Sequence, residues 1–138
     1  MVDCLILGDS IARGIYNHLP RCAVYAQSGI NSSAFNRQYS GEFYSGLVVI
    51  SLGSNDYAGI NTELELRILR RRILAREKVY WVLPAGTAAG SGVSAESLRN
   101  VVRAIANEYG DIVLPIAQTA DGVHPTGQTY KHISNSIR

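Results

Sequence analysis

Five short apolar runs separated by stretches with helical spacing constrain this chain more than any other feature. Residues 2–7, 23–26, 47–52, 79–83 and 112–114 are of strand length and nearly continuous in Val, Ile, Leu and Ala. A strand wetted on one face alternates apolar and polar side chains, so unbroken apolar runs call for cover on both faces. Helical patterns lie between them. Residues 61–76 place Leu66, Leu69 and Ile73 on one face, with Thr62 and Glu65 at capping-box spacing. Residues 94–109 repeat the design, with Ser94 as N-cap, Leu98, Val101, Val102 and Ile105 on one face and Gly110 just past the end. A last helix should begin near Pro125 or Thr126 and bury Tyr130, Ile133 and Ile137. Strands alternating with helices predict an open parallel α/β sheet covered on both sides.

The whole of 1–138 is expected to be one domain, because 138 residues is close to the usual domain size. At 46% hydrophobic and 17% charged residues, the composition excludes disordered and fibrous classes. The longest apolar stretch, 47–52 with Ser51 inside it, is far short of the ~20 residues of a membrane span. No basic and apolar leader precedes the first run, so a cytoplasmic location is expected. Cys4 and Cys22 are too few for a disulfide framework and are read as buried free thiols. A net charge of +2, with the arginines concentrated at 67, 70, 71, 72 and 76, gives no ground for a nucleic-acid partner. Those arginines read as the solvated face and C-terminal end of an amphipathic helix. The loop 85–92, rich in Gly, Ala and Ser, is expected to be the most flexible stretch.

In such a sheet, ligands sit beyond the carboxyl ends of the strands. The segments that follow the runs are Gly8-Asp9-Ser10, Ser28-Gly29, Gly53-Ser54-Asn55-Asp56 and Asp121-Gly122-Val123-His124-Pro125. Together they supply a hydroxyl, a glycine amide, a carboxamide and an imidazole with a nearby carboxylate. Serine attacks at neutral pH only when a base takes its proton, and histidine suits that task. Ser10 and His124 fill these roles, and Asp121 can hold one imidazole tautomer. The Ser10 amide, the Gly29 amide and the Asn55 side chain are candidate donors to an oxyanion. No metal and no cofactor is called for. Tyr57 and Val123 are candidate substrate contacts.

Gly8-Asp9-Ser10-Ile11, Gly29, Gly53-Ser54-Asn55-Asp56 and Asp121-Gly122-Val123-His124 resemble, in order and spacing over essentially the whole chain, the four blocks of the SGNH hydrolases, or GDSL lipases and esterases. The resemblance implies a flavodoxin-like three-layer α/β/α sandwich with a five-stranded parallel sheet. It also implies metal-independent ester hydrolysis by Ser10, His124 and Asp121, with Ser10, Gly29 and Asn55 as the oxyanion hole. Ile11 stands where the family name has Leu. The chain is near the family's lower length limit, which leaves few residues for a lid or a deep acyl tunnel. A small-molecule or carbohydrate ester with a short acyl group is therefore the expected substrate.

Each assignment has a competitor. Ser10 can be the N-cap of the following helix, Gly29 a turn glycine, and His124 the start of the last helix. Asp9 and Asp56 are read as braces for backbone amides, and His18 and His132 as surface residues. The competing functions are a phosphate- or nucleotide-binding module, a carboxylate-dependent phosphatase, an inactive adaptor of the same fold, and a lysophospholipase or thioesterase. Gly8-Asp9-Ser10-Ile11-Ala12-Arg13 lacks the glycine- and hydroxyl-rich turn that cradles phosphate, and Asp9 has no second carboxylate two residues away.

Overall fold

The apolar runs become five parallel strands in a computed structural model that describes residues 3–85 and 92–138. They are β1 (Cys4–Gly8), β2 (Ala23–Ala26), β3 (Phe43–Ser51), β4 (Ile73–Val82) and β5 (Ile112–Leu114). The order across the sheet is β2-β1-β3-β4-β5. The helices are α1 (Ser10–His18), α2 (Ser32–Gln38), α3 (Thr62–Arg71), α4 (Ala95–Tyr109) and α5 (Gly127–Ser136).

Successive strand side chains point to opposite faces, and two cores result. Leu5, Leu7, Val48, Ile50, Val79 and Trp81 face Phe35 of α2, Leu66 and Leu69 of α3, and Val102 and Ile105 of α4. Ile6, Leu47, Val49, Tyr80 and Val82 face Ile11 and Ile15 of α1 and Ile133 of α5. The molecule is thus a three-layer α/β/α sandwich of flavodoxin-like order, as expected. Every residue of β1 is buried, which is why its run shows no polar alternation.

Several local expectations change. The helix expected over 61–76 ends at Arg71, with Arg72 as C-cap, and Ile73 opens β4 opposite Phe43. Ile73 continues the helical spacing of Leu66 and Leu69, and no glycine or proline marks the stop; pairing with β3 overrides the periodicity. Asn61, not Thr62, is the N-cap, its side chain accepting from the Leu64 amide. Glu65 does not close a capping box, since its carboxylate accepts from Asn36 Nδ2 at 2.9 Å. The strand expected over 47–52 begins at Phe43 because a register shift lies between Ser45 and Leu47, where the Asp3 carboxylate accepts from the Gly46 amide at 3.1 Å. Helix α2, seven residues long, was not expected at all. Ile137 is buried but lies just past α5 as its C-cap, and Tyr130 is only half-buried. Of the loop 85–92, residues 86–91 lie outside the described residues.

Arg70 and Arg71 stand in the last turn of α3 as expected, but most of these arginines are held by partners and do not form a free solvated face. Arg70 grips Asp111 through Nε at 2.7 Å and Nη2 at 2.9 Å, and Trp81 Nε1 donates to the same carboxylate at 2.9 Å. Arg72 donates to the Tyr39 and Gly41 carbonyls. Arg67 bridges Glu63 and Glu108, while Arg76 belongs to β4 and pairs with Asp3. Arg71 is exposed at the end of α3, as expected.

Cys4 and Cys22 form a disulfide, which corrects the free-thiol reading. Leu5 pairs with Ala23 in the parallel ladder, so the two residues just before them are neighbours across it. Their Cα atoms are 4.7 Å apart, the spacing of adjacent strands and within disulfide range.

Candidate active site

The turn after β1 is possible only for glycine. Gly8 has φ +144°, and a Cβ there would lie 1.8 Å from the Ser51 carbonyl oxygen. With no side chain in the way, the chain passes close to β3 and the Asp9 amide donates to that carbonyl at 3.0 Å. Asp9 is then the N-cap of α1, its Oδ1 accepting from the Ile11 amide at 3.0 Å and from the Ser51 hydroxyl at 3.2 Å. The competing reading of Ser10 as N-cap is therefore set aside: Ser10 is the first residue of α1, and its side chain makes other contacts. Asp9 is fully buried, and its Oδ2 has no hydrogen-bond partner among the described residues. Burial pushes its pKa up to about 6, against the lowering pull of the Ile11 and Ala12 amides.

Ser10 Oγ lies 2.8 Å from His124 Nε2, and His124 Nδ1 lies 2.7 Å from Asp121 Oδ2. Asp121 builds the loop that carries the histidine. Its Oδ1 accepts from the His124 amide at 2.7 Å and the Val123 amide at 3.0 Å, and Gly122 supplies the positive φ, +87°, of the turn. The loop is pinned at its base by the Ala120 amide on the His124 carbonyl at 2.8 Å and by a bridge between Thr119 and Pro125. His124 does not start the last helix, whose N-cap is Thr126.

The His124 amide, the His124 ring and the Val123 amide together hold the Asp121 pKa down at about 2. An ionised carboxylate only accepts, so Nδ1 must be the ring donor and Nε2 carries the lone pair that faces the Ser10 hydroxyl. That is the tautomer in which histidine can take a serine proton.

The expected oxyanion donors come from three neighbouring strand ends, since Gly8 pairs with Ala26 on one side and Ser51 on the other. Ser10 opens a helix, so its amide has no intrahelical acceptor. Gly29 is exposed at φ +80°. Asn55 donates through Nδ2 to the Ile30 carbonyl at 3.1 Å, which ties the loop after β3 to the loop after β2. Asp56 ties them more tightly. Fully buried, it accepts from the Ser32 amide at 2.8 Å and from the Ser32 and Thr62 hydroxyls at 2.6 Å each. Asp9 and Asp56 are both braces, as read. No local signal marks the tie of Ser32 to Asp56, because the two are 24 positions apart.

Tyr57 is 50% exposed, and its ring lies against Gly59. Val123 is half-buried. Val123 meets the Ser10–His124–Asp121 chain through its backbone amide on Asp121 Oδ1. His18 and His132 are exposed. Tyr130, expected in the core, packs over Gly14 of α1, where a Cβ would come within 2.3 Å of its ring. Burial first, then the charges of Asp9 and Asp121, push the Tyr130 pKa up to about 12.

Among the described residues, no group of three His, Cys, Asp or Glu side chains could hold a metal ion. No described helix is long and apolar enough to cross a membrane.

No family model matches the sequence, and no curated protein does. Solved structures do. A possible lipase from Chitinophaga pinensis superposes with TM-score 0.72 at 12% identity, over 99% of this chain and 96% of the other. A GDSL-like lipase from Bacteroides thetaiotaomicron gives 0.69 at 18% identity, over 96% and 84%. The C-terminal catalytic domain of peptidoglycan O-acetyltransferase A from Streptococcus pneumoniae gives 0.66 at 17% identity, over 97% and 88%. At these identities the likeness is one of fold: the five-stranded sheet and its five helices match the SGNH hydrolase fold.

Proposed function

We propose that this chain is a serine hydrolase that cleaves short-chain carboxylic esters, including acetyl groups carried on sugars, through an acyl-enzyme. The observation that carries the reading is the continuous chain of contacts Ser10 Oγ, His124 Nε2, His124 Nδ1, Asp121 Oδ2, at 2.8 and 2.7 Å. His124 takes the Ser10 proton as Oγ bonds to the ester carbonyl carbon, and Asp121 stabilises the resulting imidazolium. The Ser10 and Gly29 amides and Asn55 receive the oxyanion. His124 then passes the proton to the departing alcohol oxygen, and water repeats the sequence in reverse on the acyl-Ser10. The inactive-adaptor reading has less support, because a disused triad has no reason to keep both contacts at hydrogen-bonding length.

The acyl site is walled by the short loops after the strands, with Tyr57 and Val123 as its apolar contacts. Short walls give an open groove, and each buried methylene stabilises by about 0.8 kcal/mol only where apolar walls enclose it. Residues 1–138 act as one hydrolase domain. The Cys4–Cys22 disulfide favours an oxidising compartment over the cytoplasm.

The test is covalent labelling by a fluorophosphonate, followed by turnover of esters of graded acyl length. Ser10 should carry the label, His124→Ala should lose it with the fold retained, and kcat/KM should peak between acetyl and butyryl. Undiminished labelling of Ser10→Ala overturns the nucleophile. A rise in kcat/KM out to octanoyl, below micelle-forming concentrations, overturns the short-chain assignment.

A further inference from the structure

Helix α1 carries a glycine in its interior, where alanine would favour the helix. Gly14 has a packing reason. The Tyr130 ring of α5 takes the space a side chain would fill: a Cβ there would lie 2.3 Å from Tyr130 Cζ and 2.7 Å from its hydroxyl oxygen. The first distance is about 1 Å inside ordinary contact, so the ring seats here only because residue 14 has no side chain.

Ser10, Gly14 and His18 follow one another at intervals of four along α1 and share one face. That face meets the C-terminal segment three times. His124 Nε2 lies 2.8 Å from Ser10 Oγ, Tyr130 covers Gly14, and the Tyr130 ring stacks on the His18 ring at a centroid distance of 6.3 Å. The middle contact is the tight one. On the other side of α1, Ile11, Ala12 and Ile15 are buried against the sheet.

His124 and Tyr130 belong to one short, pinned piece of chain. The Ala120 amide holds the His124 carbonyl, Thr119 bridges Pro125, the Thr126 amide donates to the Gln118 carbonyl at 3.2 Å, and the Tyr130 amide returns to the Thr126 carbonyl at 2.9 Å. A movement of Tyr130 away from α1 is therefore carried to His124. Ser10 cannot follow it, because Asp9 and Ser51 tie the start of α1 to β3. Burial first, then the charges of Asp9 and Asp121, push the Tyr130 pKa up to about 12, so the tyrosine does not handle the reaction's proton and what it supplies is its shape.

We infer that Gly14 and Tyr130 are a positioning pair: the ring seated over the glycine sets the gap between α1 and the segment that carries His124, and so holds Ser10 Oγ within reach of His124 Nε2. The kinetic consequence rests on the hydrolase reading and adds to it two residues outside the triad. A misplacement of about 1 Å can cost roughly 100-fold in rate.

The experiment measures kcat, KM and melting temperature with an acetyl ester on variants of the full chain. Gly14→Ala should lower kcat by about 100-fold with KM little changed. Tyr130→Ala unseats the contact from the other side and should lower kcat by about tenfold. Adding Gly14→Ala to Tyr130→Ala should lower it little further, because the new methyl group then meets no ring. Gly127→Ala makes the same change in α5, where nothing lies within 4 Å, and should leave kcat as it is. Rates are taken well below each variant's melting temperature, so that lost stability by itself does not register.

Unchanged kcat in Gly14→Ala or in Tyr130→Ala, or an equal loss from Gly14→Ala with and without the ring, overturns the pair while leaving the hydrolase reading intact. If Gly14→Ala does not fold, Tyr130→Ala decides alone by the same criterion. If the original chain turns over no ester and takes no fluorophosphonate, the hydrolase reading fails, and the nitrogen NMR resonance of His124 Nε2 decides the geometry separately. It should move in Tyr130→Ala toward its position in Ser10→Ala, where the contact is absent; a resonance that stays in place overturns the pair.

Discussion

Asp9 and Ser51 hold each other twice. The Asp9 amide donates to the Ser51 carbonyl at 3.0 Å, and the Ser51 hydroxyl donates to Asp9 Oδ1 at 3.2 Å. The pair locks the end of β1 to the end of β3 at the residue before Ser10, so the serine hydroxyl is aimed by backbone that cannot rotate freely. Gly8 makes the contact possible, and the Asp9 cap on α1 extends it into the helix.

Asp9 also makes stability depend on pH in a defined window. Folded, it keeps its proton up to about pH 6; unfolded, it loses it near the ordinary carboxylate value of 3.8. Between those values the folded state binds more protons, so stability falls as pH rises, and below about pH 4 the penalty is absent. Asp9→Asn removes the charge and can still cap the helix. Its melting temperature relative to the original chain should rise from pH 4 to about pH 6 and level off above that. Parallel melting curves for the two proteins would exclude a buried, proton-holding Asp9.

Asp121 is ionised down to about pH 2 and fixes the histidine tautomer. In Asp121→Asn, an amide that can donate faces Nδ1, and the ring no longer needs to present a lone pair to Ser10. We expect kcat/KM to fall by roughly 10²- to 10⁴-fold with the fold unchanged by circular dichroism. A fall under fivefold would mean that the loop backbone alone orients His124.

In the proposed mechanism Asn55→Ala removes a transition-state donor, and in the structure it removes the tie to the Ile30 carbonyl. The first loss should lower kcat by about 100-fold with KM little moved; the second should cost about 1 kcal/mol of stability. Steady-state kinetics and a denaturant titration on the same variant separate the two. A raised KM with kcat maintained would make Asn55 a binding residue.

The Cys4–Cys22 bond closes a sequence separation of 18 residues. Constraint of the unfolded chain by a loop of that size is worth about 3 kcal/mol, or roughly 10 °C in melting temperature for a chain of this length. The double variant Cys4→Ser, Cys22→Ser should melt lower by that amount and keep its turnover at temperatures well below the melt. An unchanged melting temperature in non-reducing buffer would show that the bond adds nothing to stability.

The five strands and the pairing of Asp121 with His124 were legible because their signals are local. Each apolar run is a few residues long, and Asp121 and His124 lie in one turn, three positions apart. The end of α3 was not legible, because Ile73 continues the helical stripe and only its partner Phe43, on another strand, makes it sheet. The arginines at 67, 70, 72 and 76 looked solvated for the same reason, since Glu108, Asp111, Tyr39, Gly41 and Asp3 are all distant in sequence.

By itself, then, the sequence determined which residue types follow which strand, and with them a parallel sheet whose carboxyl edge carries a serine, an asparagine, an aspartate and a histidine. Periodicity and turn chemistry act over a few residues, so one chain read in order suffices. Only the tertiary structure decided that Cys4 and Cys22 meet, that Ser32 and Thr62 close on Asp56, and that Tyr130 seats over Gly14. Those relations depend on strand register and on helices packed across a sheet. Side chains tens of positions apart are brought within hydrogen-bonding distance there by the burial of the two cores, which no local pattern encodes.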